Sequence, residues 1–263
     1  MNGRFTSEQL KKIAMGTMFL DHAAVAIVYS TGLNRMSPLM ETIGLAMRLV
    51  GRMAFPLYAF MLVQGFMRTG DRKKYVSRMV LFAVVSEIPF NLVLSGNFYC
   101  PRGQNTIVTL TIGLICLKML DVIGQKYRLS WSLAAVSERS SDRDFSNCFV
   151  GYVLTVWVVA ISMTAAAALR SDYGAGGVFL ITLLYLFRYN PALLPAAGFV
   201  GLSGIYGFDY DLFFAWIAFF FISRYNGERG RRMGYFPYVF YPAHLLIVWF
   251  VGKVIATFLT AGV

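Results

Sequence analysis

Residues 10–28 read LKKIAMGTMFLDHAAVAIV, two lysines followed by an apolar run with an Asp-His pair in its middle. From Ile13 onward the run is apolar enough to cross a bilayer, and at 1.5 Å per residue His22 lies about 13 Å beyond its start. That depth is hydrocarbon. A charged side chain there costs about 2.5–3.5 kcal/mol on insertion scales, so such residues face a protein interior, a polar cavity or a reaction path. Asp21 and His22 are therefore the first candidate functional residues. The Asp-His pair also interrupts what would otherwise resemble a signal-peptide core, so the segment is expected to stay as the first helix.

Working outward, the same character fills all 263 residues: 57% are hydrophobic and only 14% charged, with mean hydropathy +0.60. Soluble domains carry about 25% charged residues. The expected fold class is all-α, a polytopic integral membrane helical bundle forming one domain over residues 1–263 in the cell inner or plasma membrane. Apolar stretches at 10–31, 40–67, 75–95, 105–123, 147–169, 175–188, 191–207, 211–224 and 237–260 predict about nine transmembrane helices, of which the sixth to eighth are short, tilted or broken.

The 24 basic residues against 13 acidic ones give a net charge of +11. Membrane topology accounts for this excess, so no nucleic-acid partner is implied. Arg4, Lys11 and Lys12 precede the first span; Arg68, Arg72, Lys73, Lys74 and Arg78 lie between the second and third. Lys118, Lys126, Arg128, Arg139 and Arg143 fall in the region between the fourth and fifth spans, with Arg188, Arg224, Arg229, Arg231 and Arg232 beyond it. All fall on one side of the expected topology, which places the N-terminus and the 124–146 loop in the cytoplasm. Cys100, Cys116 and Cys148 lack metal-type or paired spacing, so neither a metal site nor a disulfide framework is expected.

Other polar residues also fall at membrane depth. His244, in span nine, is expected at the same depth as His22, where the two could line one cavity; each could equally be interhelical glue bonded to a carbonyl. Asp21 and His22 point about 100° apart on a helix, so Asp21 needs a partner elsewhere. Arg48 and Arg52 share a face of the second span just before Pro56, and Glu87 in SEIPFN is their expected counter-charge, for a structural pair or for handling a substrate. The basic loop MRTGDRKKYVSR at 67–78 offers phosphate ligands, although topology alone would explain it. GxxxxGK[ST], HExxH and GxSxG are absent, so NTP hydrolysis, zinc proteolysis and serine-hydrolase chemistry have no visible machinery.

The strings LKKIAMGTMFLDH, GRMAFPLYAFMLVQGFMRTGD, Tyr75 with Arg78, SEIPFN, NTIVTLTIGL, DYGAGGV, YNGERG and FPYVFYPAHLL occur in that order. Together they resemble the TraX family, whose namesake is the pilin acetylase of conjugative plasmids. The resemblance runs over nearly the whole chain and omits the 124–146 loop. It implies a transmembrane acyltransferase domain related to acyltransferase-3 proteins and heparan-glucosaminide N-acetyltransferase. Acyltransferase-3 proteins carry an arginine and a histidine on the first helix with ten residues between; Lys11 and His22 have this spacing, with lysine in place of arginine, a point charge instead of a bidentate donor.

The implied activity is transfer of acetyl from cytosolic acetyl-CoA to an amine or hydroxyl of a membrane-associated acceptor: a small protein, a glycan or a lipid-linked group. His22 would be general base, or would accept the acetyl group covalently, with Asp21 beside it. Lys11, Arg68, Arg72, Lys73, Lys74 and Arg78 would bind the donor. Arg48, Arg52, Glu87 and His244 would line the substrate or oxyanion site. Two other classes use the same residues differently. A proton-coupled secondary transporter would run protons over His22, Asp21, Glu87 and His244 and bind an anion at Arg48 and Arg52. A membrane scaffold would tolerate loss of His22.

Overall fold

The computed structural model describes residues 3–129, 131 and 145–261. Thr6 opens the first helix with a capping box. Its hydroxyl accepts from the Gln9 amide at 3.3 Å, while Gln9 Oε1 accepts from the Thr6 amide at 2.8 Å, satisfying two otherwise orphaned donors. Helix α1 (Ser7–Ala23) then runs into a π-helical turn (Ala24–Tyr29). Gly32, at φ +80°, turns the chain into the short α2 (Leu33–Met36), and Pro38 starts α3 (Pro38–Gly51).

Helices α3 and α4 (Ala54–Arg68) occupy the second apolar stretch, which is broken at Arg52 and Met53. Pro56 has no N–H to return to the Arg52 carbonyl, so the ladder fails one turn ahead of the proline, where that bond would have formed. Asp71 caps α5 (Arg72–Ser95) by accepting from the Lys74 amide at 2.9 Å, and that amide holds the Asp71 carboxyl below its ordinary range. Asn105 caps α6 (Thr106–Lys126), and α7 spans Phe145–Ala168. Of the predicted 124–146 loop, residues 130 and 132–144 lie outside the described residues. The rest of the chain forms α8 (Gly174–Leu186), α9 (Leu194–Tyr206), α10 (Tyr210–Trp216), α11 (Ala218–Ile222) and α12 (Phe236–Thr260).

Among the described residues, six helical segments are long and apolar enough to cross a membrane: Ser7–Tyr29, Pro38–Arg68, Arg72–Ser95, Thr106–Lys126, Ser146–Ala168 and Phe236–Thr260. The other three apolar stretches are helical but shorter. Helices α8 and α9 have 13 residues each, about 20 Å, against a hydrocarbon core of about 30 Å.

The bundle buries α4 and α8 most completely, and α6 packs between them, α5 and α7. Helix α1 lies against α3 and α4, and α12 against α5 and the π turn. Small residues set these approaches, as is usual between membrane helices. Gly252 of α12 abuts the Ala26 carbonyl of the π turn, and Gly51 of α3 abuts the Asp21 side chain. Helices α7 and α12 leave large apolar side chains such as Val156, Trp157, Ile161, Ile247 and Phe250 exposed, as a lipid-facing surface would.

Candidate active site

Two helix stripes build the site. On α1, Ser7, Lys11, Met18 and His22 follow one another at spacings of four and seven; on α12, Pro237, Tyr241 and His244 do so at four and three. Such spacings put each set on one helix face. All except the two histidines line a cavity of about 450 Å³, together with Tyr58, Gly65, Arg68, Tyr75, Arg78, Met79, Thr106 and Leu110. Lys11, Arg68, Arg78 and Arg229 form its basic end, and Met18 and Tyr241 its inner end. His22 is one turn beyond Met18, about 16 Å along α1 from Lys11, with its ring edge-on to Tyr241 at 6.2 Å.

The histidines meet there. His22 Nδ1 and His244 Nε2 are 2.7 Å apart, the rings stack at 5.0 Å, and both residues are buried. His244 Nδ1 lies 2.8 Å from the Phe240 carbonyl. A carbonyl only accepts, so His244 carries its proton on Nδ1 and presents Nε2 as an acceptor. His22 must then donate from Nδ1, which leaves the lone pair on His22 Nε2. This two-bond relay assigns both tautomers from one backbone oxygen. Neither ring nitrogen of the pair needs a carboxylate.

Asp21 faces elsewhere, as its position on the helix requires. It pairs with Arg48 at 2.7 Å, while Arg52 pairs with Asp211 at 2.9 Å and lies over the Tyr206 ring. The expected pairing of Glu87 with these arginines does not form. Glu87 is on α5, which packs against α6 and α12, and its Oε2 accepts from Asn105 Nδ2 at 2.5 Å. Asp21 instead reaches α3 through the side-chain-free surface of Gly51. Arg48, Arg52 and Asp21 therefore form a polar cluster apart from the cavity. Near it, Tyr173 stacks flat on Phe55 at 3.6 Å, and Asp172 accepts from the Thr106 hydroxyl at 2.5 Å.

The predicted phosphate ligands separate in the same way. Lys11, Arg68 and Arg78 line the cavity, but Arg72 turns to Asp121 of α6 and lies over the Phe66 ring. Lys74 pairs with Asp71, and Lys73 is exposed. On α5 the cavity face carries Tyr75, Arg78 and Met79, spaced i, i+3, i+4, and residues 73 and 74 point away from it. Most of the lining is not singled out by the sequence pattern, and Arg229, Tyr241 and Tyr58 are the polar examples that matter to the site. From the sequence, Arg229 reads only as a topology signal and Tyr241 only as part of a motif. Tyr58, whose hydroxyl is buried without a partner among the described residues, carried no polar signal inside an apolar helix.

A helical bundle with six segments long and apolar enough to cross a membrane, and with a basic-lined cavity whose Met18 and Tyr241 neighbour a buried histidine pair, defines the class: a polytopic helical membrane protein. The TraX protein family's profile matches residues 6–252, so the chain belongs to the TraX family. It is also similar to the probable fimbrial assembly protein FimC, serogroup H1, of Dichelobacter nodosus, at 25% identity over 256 residues, covering 93% of this chain and 94% of that one. No solved structure matches.

Proposed function

We propose that this protein is a membrane acetyltransferase that moves acetyl from acetyl-CoA to an amine or hydroxyl, with His22 Nε2 as general base. The observation that carries the reading is the cavity itself. It has cationic groups at one end, apolar and aromatic walls along its length, and a histidine of assigned tautomer just beyond its inner end. Those residues suit acetyl-CoA: Lys11, Arg68 and Arg78 would meet phosphate, while Met18, Met61, Leu110 and the tyrosines would flank the pantetheine arm.

Acetyl-CoA supplies the activated acetyl group. His22 Nε2 takes the proton of the attacking N–H or O–H as the new bond to the acetyl carbon forms, and returns it to the sulfur as the C–S bond breaks, so that CoA leaves as the thiol. The Tyr58 hydroxyl, without a partner among the described residues, would donate to the thioester oxygen, the role that Arg52 is too engaged with Asp211 to take. Among acceptors, the likeness to a fimbrial assembly protein favours a small membrane-associated protein over a glycan or lipid.

The test is ligand-dependent stabilisation of the detergent-purified protein by acetyl-CoA, followed by thiol release with wild type and His22→Ala. Stabilisation at micromolar ligand, with thiol release lost in His22→Ala, supports the reading; occupancy at 100 times Kd stabilises a protein by about 2.7 kcal/mol. Folded protein unmoved by millimolar acetyl-CoA would overturn it.

A further inference from the structure

The YNGERG motif is not absorbed by the histidine site. It begins a loop, residues 225–234, that folds back over the start of α1. The Phe5 amide donates to the Arg224 carbonyl at 3.0 Å, the Asn226 amide to Phe5 at 2.9 Å, the Ser7 amide to Glu228 at 2.9 Å and the Glu8 amide to Arg229 at 3.2 Å. Arg68 adds a 2.6 Å bond to the Gly227 carbonyl. Gly230 sits at φ +68° with Thr6 Oγ1 2.7 Å from where a Cβ would be, so only glycine fits this crossing. The first amides of α1 are spent on the loop, so any ligand here meets side chains.

Between the loop and α1 lies a second cavity of about 370 Å³, lined by Glu8, Lys11, Arg229, Arg231, Arg232, Met233 and Gly234. It shares Lys11, Arg229 and Gly234 with the first. Its single carboxylate is already engaged: Glu8 Oε1 holds Lys12 at 2.7 Å and Oε2 accepts from the Arg231 amide at 2.7 Å. Among the described residues, Lys11, Arg229, Arg231 and Arg232 have no carboxylate pair. Four cations held around one polar recess, with the nearby acid spent on the scaffold, match a ligand carrying several phosphate charges.

We infer that this second cavity is the subsite for the phosphate-bearing nucleotide end of the donor, held by Lys11, Arg229, Arg231 and Arg232, with the first cavity taking the arm that continues from it. This rests on the acetyl-CoA reading for the identity of the donor, not for the presence of the anion site. Phosphate chemistry is shared by nucleotides and by anionic lipid headgroups, and the inference commits to the nucleotide.

The probes are adenosine 3′,5′-bisphosphate, acetyl-CoA and acetyl-pantetheine, titrated calorimetrically into wild type, Arg231→Ala/Arg232→Ala and Lys73→Ala/Lys74→Ala in neutral detergent. The expected result is at least a tenfold rise in Kd for the two nucleotides in the arginine variant alone, with acetyl-pantetheine unchanged. Wild type that fails to bind the bisphosphate, or an arginine variant that binds it normally, overturns the site. So does a variant that loses only its binding to phosphatidylglycerol vesicles, which assigns the recess to lipid. Arginine-dependent bisphosphate binding without any thiol release from acetyl-CoA would leave the site standing and reject the acetyl-transfer reading. Thiol release with the arginine variant indistinguishable from wild type would do the reverse.

Discussion

Replacing His244 by phenylalanine removes one link of the relay and keeps the ring stack with Phe240 at 4.7 Å and His22 at 5.0 Å. What is lost is the acceptor for His22 Nδ1–H, the bond that holds the lone pair on Nε2. A net intramolecular hydrogen bond is worth about 1–1.5 kcal/mol, which at 1.36 kcal/mol per decade is a loss of about five- to tenfold in kcat. Removing the base itself, in His22→Ala, costs about 10²–10⁴. Because His244 acts only through His22, the two losses must not multiply: His22→Ala/His244→Phe should be no slower than His22→Ala. Thiol release from acetyl-CoA reads all three, with thermal melting in detergent to show that each variant is folded. Multiplying losses would make His244 an independent catalytic group and refute the relay. An unaffected His244→Phe would refute it too, by showing that the 2.7 Å contact does not set the tautomer.

Tyr58→Phe removes one hydroxyl from the cavity wall. If that hydroxyl donates to the thioester oxygen, kcat falls by about 10²-fold with the Kd for acetyl-CoA unchanged, measured by turnover and calorimetry. Arg48→Ala strands the Asp21 carboxylate, whose side chain is only 17% exposed, and should cost about 3 kcal/mol in unfolding; adding Asp21→Asn should recover most of it, because the penalty is the unpaired charge. Topology is testable at the cysteines. With the N-terminus cytoplasmic, Cys100, between α5 and α6, reacts with a membrane-impermeant maleimide added outside intact cells. Cys148, near the start of α7, reacts only after the membrane is opened, and Cys116, which is fully buried, only after denaturation.

The all-helical membrane class and the positions of nearly every helix follow from composition and apolar run length, because hydrocarbon demands internal satisfaction of every backbone hydrogen bond over a known thickness. His22 is also legible, since an ionisable group at that depth stands out against 57% hydrophobic composition. Even the cavity faces of α5 (Tyr75, Arg78, Met79) and α12 (Pro237, Tyr241) can be traced from helical spacing once one lining residue is known. Partnership is not legible in this way. Arg48 meets Asp21 and not Glu87 because α3 packs against α1 where Gly51 leaves room, while α5 packs elsewhere. His22 meets His244, 222 positions away, because α12 crosses the π turn through Gly252. Arg229, Arg231 and Arg232 join Lys11 around one recess because backbone hydrogen bonds to residues 5–8 carry the 225–234 loop over α1. Depth and helical face are local quantities that a one-dimensional pattern encodes; which faces meet depends on close approach between segments far apart in the chain, and only the tertiary structure decides that.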